Sequence, residues 1–299
     1  MTDNRQPVEA EAELRVANYA VSFIDLLGQR NALAGQACVP HFTSDADRIS
    51  FMLSVRSSVG AVASLYARAK TMMKAASDQI ARSPLRERLS SEQRIAWDAI
   101  FRAKLTEQRW SDGLMLFSSM AEPDNPCPPV TIFDLLTLSG SLCFLGLASR
   151  QPLRGGLEIA WGIELHPREL HGPAVVRAYE LESEFAKYPR LVVGRHLVEY
   201  LRSSARSAGE DPLSQAYRGI AQRCLSILSE DEDGLIIVDY LSGAFRASVS
   251  NSNHDALYHA ANLFISDQLT MHRASGNDEL AERYARLQRY FDTCKDFRS

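Results

Sequence analysis

The sequence predicts an α/β fold built on a mixed sheet, and three observations predict it. Apolar runs of strand length recur along the chain, at Tyr19–Ile24, Leu114–Phe117, Leu153–Gly162, Leu191–Val193 and Gly234–Tyr240. Short apolar runs bounded by turn residues are the mark of strands. Stretches with helical periodicity separate them, most clearly Asp45–Ala81, where Ile49, Met52, Leu53, Val59, Val62 and Leu65 fall mostly at helical intervals. Finally, Trp110-Ser111-Asp112-Gly113 joins two apolar segments as a tight turn, so a hairpin interrupts the alternation.

The elements follow in order. Strand Tyr19–Ile24 opens the fold, after a polar, acidic N-terminus predicted to be flexible over 1–17. A helical insertion spans about 35–105, with Pro84 and the charged Arg86–Arg94 stretch as a surface connection or a second short helix. Thr106–Trp110 and Leu114–Ser118 form the hairpin, and a Pro-rich loop, Pro123–Pro129, leads to an apolar helix near Val130–Ser149. Leu153–Gly162 returns to strand. His171-Gly172-Pro173 introduces a helix over Ala174–Ala186, which ends before Pro189 because proline disfavours helix in its predecessor. Strand Leu191–Val193, helix His196–Ser207 and strand Gly234–Tyr240 complete a unit over 18–245, and 246–299 reads as a helical, highly charged C-terminal extension. Hairpin elements inside such an alternation point to a ferredoxin-like core with additions rather than a doubly wound sheet.

Composition narrows the function classes. The chain has 299 residues, 45% hydrophobic and 23% charged, with net charge −4 and no long basic run. That argues against a duplex nucleic-acid binder relying on a basic face. Five scattered cysteines with no CxxC pair read as reduced thiols of a cytoplasmic protein, without a zinc or disulfide framework. Val130–Leu147 is about long enough to test as a membrane span. Asp134, Thr137, Ser139, Gly140 and Ser141 interrupt it, so it reads as a buried helix.

Two acidic residues in matched settings carry the chemistry. Asp25 ends the first strand in Phe23-Ile24-Asp25-Leu26-Leu27-Gly28, and Asp112 sits in the hairpin turn. Either aspartate alone has a structural reading, as a turn residue or a helix cap. Neighbouring strands would bring both carboxylates to one point, a site for hard divalent cations that take oxygen ligands. Glycines beside them let backbone and phosphate approach closely, which suggests metal-assisted phosphoryl chemistry.

The block Phe23-Ile24-Asp25-Leu26-Leu27-Gly28 resembles the first metal-binding motif of class III nucleotide cyclases, and Trp110-Ser111-Asp112-Gly113 resembles the second. Arg154-Gly155-Gly156-Leu157-Glu158-Ile159-Ala160-Trp161-Gly162 is similar to their next strand. Gly172 to Ser183 resembles their glycine-led helix. That run, followed by Tyr188-Pro189-Arg190, looks like the branch of bacterial pyrimidine cyclases of anti-phage systems, the Pycsar cyclases. The resemblance covers scattered blocks between Tyr19 and Tyr240 and leaves the insertion and the C-terminal extension unexplained.

The resemblance implies conversion of UTP, or of CTP as the alternative, into a cyclic monophosphate and pyrophosphate. Asp25, Asp112 and the Leu26 carbonyl would hold two divalent cations, Mn2+ or Mg2+. Phe23, Leu27, Gly28, Gln29, Arg30 and Gln108 would contact the nucleotide, with Tyr179 reaching in from a partner chain of a homodimer. A separate effector protein would read the product; neither nucleic acid nor membrane is an expected partner. The chain departs from purine cyclases where they carry an asparagine and an arginine, at Val176 and Glu180, and their base-selecting residues would fall near Gln108 and Glu169. A non-catalytic nucleotide-sensing relative, a purine cyclase with unusual contacts and a diguanylate-cyclase-like palm domain are the competing readings. The last normally carries a glycine-glycine-acid turn, where this chain has Ser111-Asp112-Gly113.

Overall fold

The computed structural model describes residues 16–28, 38–81, 84–87, 89–100, 105–120, 129–166, 168–210, 212–249 and 254–293. Gln29, Arg30, Cys127, Cys294, nearly all of the expected N-terminal segment and most of the Pro-rich loop lie outside them.

Strand β1 (Val16–Leu26) lies inside the sheet because it can be buried on both faces. Ala20, Val21, Ser22 and Ile24 are wholly enclosed. It pairs antiparallel with β3 (Gly113–Ser119) on one side and β4 (Leu153–His166) on the other. β2 (Thr106–Trp110) pairs antiparallel with β3. Beyond β4 come β6 (Leu191–Val193), which runs parallel to it, then β8 (Ile236–Val238) and β7 (Leu228–Glu230). The eight-stranded mixed sheet has the order β2-β3-β1-β4-β6-β8-β7, with the short β5 (Glu169–His171) paired to β4.

Helices connect the first four strands in an interleaved way. The insertion between β1 and β2 contains α1 (Asp45–Ala81), the single turn α2 (Pro84–Glu87) and α3 (Ser91–Ile100). Local signals set these starts. Ser44 caps α1 by accepting from the Asp47 amide, and Ser90 and Gln93 cap α3 reciprocally, side chain to backbone in both directions. Only part of α1 docks: Leu65 and Ala69 are buried, whereas Ile49, Met52 and Leu53, on the same periodic pattern, are exposed.

Helix α4 (Pro129–Ala148) joins β3 to β4 and fills the main core. It is apolar all round, as a fully enclosed helix must be, and Ser139 on it shares a 2.8 Å hydroxyl hydrogen bond with Ser22 of β1. It is the one helix among the described residues long and apolar enough to cross a membrane, and 83% of its most apolar window is buried inside the fold.

The opposite face of β1 and β3, with Tyr19, Val21, Phe23, Met115 and Phe117, is covered by α5 (Pro173–Glu180) and Leu170. The helix expected over Ala174–Ala186 ends early: after Glu180 the chain widens into a π-helical turn, Leu181–Phe185. Further on come α6 (Arg195–Ala205), α7 (Pro212–Ser226) and α8 (Gly243–Ser248). The sequence reading passed over α7, β7 and α8, while the strand expected over Gly234–Tyr240 is present but shorter, as β8. The three-residue strands among them are too brief to show a period.

The C-terminal extension is a helical hairpin, α9 (His254–Ala274) and α10 (Asp278–Thr293). Gly276, at φ 68, ends α9 in the left-handed conformation that favours glycine, and Asn277 caps α10 through the Leu280 amide. Tyr258, Phe264, Ile265, Leu287 and Phe291 join the same core as α4.

Candidate functional site

Strand pairing brings the two aspartates together. Asp25 registers with Gly113, so Asp112 lies one residue away, in the two-residue turn between β2 and β3. Ser111 takes φ 52 there, the positive φ that two-residue hairpin turns call for. Tyr66 of α1 supports this turn: its hydroxyl lies 3.2 Å from the Ser111 carbonyl and 3.1 Å from the Gly113 carbonyl. The Arg109 guanidinium covers the Tyr66 ring at 4.4 Å.

On the other side of β1, Arg154 stands directly across from Asp25. Its outer nitrogen is 3.9 Å from the Asp25 carboxylate, and its Nε is 2.6 Å from Glu182 Oε1. The latter is a close ionic contact whose angle falls short of a directed hydrogen bond. Glu182 is 2% exposed and belongs to the π-helical turn. The turn can reach Arg154 because β4 carries Gly156 beneath it: a Cβ there would stand 2.3 Å from the Ala178 carbonyl and 2.5 Å from Leu181 Cβ.

Two carboxylates, Asp25 and Glu182, thus face one guanidinium, and Asp112 is near enough to repel both of them. Burial, and after it repulsion from Asp112, pushes the Asp25 carboxyl up to about 6 against the pull of Arg154 and the Leu26 amide. Burial pushes Glu182 up to about 7, against the lowering effect of Arg154, with Asp25 and Asp112 adding repulsion. A cation between Asp25 and Asp112 would offset both the burial and the repulsion. Among the described residues no group of three or more His, Cys, Asp or Glu side chains is arranged to hold a metal by itself. A carboxylate pair is nevertheless the usual protein share of a Mg2+ site that is completed by phosphate oxygens.

The remaining expected residues divide. Phe23 is 6% exposed and packed in the core, touched edge-on by the half-exposed rings of Tyr179 at 5.5 Å and Trp110 at 6.3 Å. Tyr179 therefore packs on Phe23 of its own chain. The Leu27 amide donates to the Pro152 carbonyl at 3.0 Å, so it is spent within the fold. Gly28 is exposed at φ 93. Gln108 Oε1 accepts from the Leu170 amide at 3.0 Å, which ties β2 to β5. Gln29 and Arg30 lie outside the described residues.

Sequence reasoning gave no role to Tyr66, Trp110 or Glu182, and placed Arg154 only within the block similar to a cyclase strand. Its partner Glu182 is buried. The signal for Arg154 was its position at the start of the strand that pairs with β1, opposite the end that bears Asp25.

A scan against protein-family models finds no match for this chain, and a search of curated proteins finds none.

Proposed function

We propose that the chain is a metal-dependent nucleotide cyclase that converts UTP to cyclic UMP and pyrophosphate. The observation that carries this reading is the convergence of Asp25 and Asp112 from adjacent strands, close enough to raise the Asp25 pKa. The interleaved order β1-helix-β2-β3-helix-β4, with β1 and β3 side by side within the sheet, supports a ferredoxin-like, class III cyclase core.

Asp25 and Asp112, with the Leu26 carbonyl, would hold the divalent cations, Mn2+ or Mg2+. When bound, such ions lower the pKa of a ribose hydroxyl and neutralise phosphate charge. The chain's own part is positioning: the hairpin and Tyr66 fix Asp112, and Arg154 holds positive charge beside Asp25. Phosphoryl transfers rest mainly on such placement and charge stabilisation. Trp110 and Tyr179 present aromatic surface beside the carboxylates. Two copies would assemble as a homodimer, and a separate effector would read the product in anti-phage defence.

The test is direct. Purified protein is incubated separately with ATP, GTP, CTP and UTP, with Mn2+ or Mg2+, and products are resolved by chromatography and mass. A cyclic monophosphate from UTP is expected; one from CTP alone moves the base assignment to cytosine. No product from any nucleotide favours the non-catalytic nucleotide sensor. The exposure of Val176 and Glu180 on α5, where purine cyclases carry contact residues, supports that second reading. Full activity in a species that sediments only as a monomer would exclude the dimer.

A further inference from the structure

We propose that the outer half of α1 is a self-association surface, on which a second copy of this chain docks its own α1 antiparallel. One side of this segment is already covered. Phe51 is half-buried and packs on Phe42, just before the helix, with ring centroids 5.5 Å apart. The other side carries Asp45, Ile49, Met52, Leu53 and Arg56, all exposed. At about 3.6 residues per turn these positions form one stripe, opposite the buried Leu65 and Ala69 that dock the helix. The fold thus holds α1 by its inner half and leaves an apolar strip facing outward several turns away.

The stripe is arranged as its own complement. Asp45 stands at one end, the apolar residues fill the middle, and Arg56 stands at the other. Arg56 makes no hydrogen bond or ion pair among the described residues, and Asp45 has there only a 3.7 Å approach from exposed Arg48. A second α1, laid antiparallel about an axis midway between Asp45 and Arg56, matches every position. Each Asp45 meets the partner's Arg56, and each Ile49 meets the partner's Met52. The aliphatic stem of each Arg48 lies against the partner's Leu53. A two-fold contact requires this match of a patch with itself, which a partner of unrelated sequence does not. Apolar residues at the centre supply the attraction, and the charges at the rim set register and orientation. One helix pair is small for an interface, so dissociation falls in the micromolar range. α1 packs on the face of the sheet that α4 covers, opposite the face that α5 covers. The contact is therefore independent of the carboxylate pair and of Tyr179.

The experiment is sedimentation velocity of the full chain across a micromolar concentration series. Wild type is expected to double in mass as concentration rises, whether its starting species is the monomer or the homodimer of the proposed enzyme. Met52→Glu changes an exposed residue, and it should move that step by about tenfold or more in concentration, because it presses a charge against Ile49. Asp45→Lys and Arg56→Asp should each weaken the step several-fold by setting like charges together. An equal mixture of those two variants should recover it, since each chain then supplies the charge that the other lacks. A local folding defect cannot be mended by mixing. A wild type without concentration-dependent doubling overturns the proposal and leaves the stripe to a different partner. Unchanged doubling in Met52→Glu overturns it by placing self-association elsewhere. A mixture as weak as its components overturns the antiparallel pairing.

Discussion

Replacing Asp25 by Asn removes a carboxylate that burial and Asp112 hold at a raised pKa. Asp25→Asn is expected to abolish metal-dependent turnover while raising the metal-free melting stability by about 1–2 kcal/mol. Asp112→Asn should also abolish turnover with the fold intact. Full turnover in either variant ends the metal proposal. Asp134 offers a test away from the site. It is buried on α4, and burial alone pushes it up to about 7. Between 3.8 and about 7 the folded state keeps a proton that the unfolded chain has released, so stability falls as pH rises through that window. Asp134→Asn should flatten this slope, by on the order of a few kcal/mol at the alkaline end, read by denaturant unfolding across pH. Asp25 and Asp112 were legible because each sits beside a strand end with turn residues. The Arg154–Glu182 pair was not, because it depends on cross-strand register and on a π-helical widening that has no sequence period.

Gly156 controls how closely the turn bearing Glu182 approaches β4. Gly156→Ala must displace the Ala178 carbonyl and Leu181, because its Cβ would fall 2.3 and 2.5 Å from them. The expected cost is about 1–3 kcal/mol in denaturant unfolding. A neutral substitution here would show that the turn moves freely and anchors nothing. Elements with strong local signals were legible in the sequence: the hairpin from its turn residues, α1 and α4 from length and apolar content, and the α5 start from Gly172-Pro173. The helical pattern of α1 was read correctly, but periodicity cannot tell which stretch docks, so exposed Ile49 and buried Leu65 looked alike. The early end of α5 was missed because nothing in Leu181–Phe185 breaks a helix.

The charged residues of α9 and α10 lie on outer faces and masked their core role in the sequence. Arg286 and Arg289 pair with Glu232 in the loop between β7 and β8, while Leu287 and Phe291 sit in the main core. Asp233 of the same loop pairs with buried Arg190, which leads into β6. Deleting 250–299 should therefore yield an insoluble or molten chain rather than a trimmed but folded one. Soluble expression and a cooperative melt of the truncated chain would refute this. The mixed sheet was legible from strand–helix order, but the strand sequence across it was not, since pairing partners are set by crossovers rather than local residues.

The Tyr66 hydroxyl makes α1 more than a cover. A helix 37 residues long, anchored by Leu65 and Ala69, carries its exposed Ile49 and Met52 several turns from the point where it holds the β2–β3 turn. The exposed far end of the helix is thus joined, along one continuous element, to the hydroxyl that holds the two carbonyls flanking Asp112.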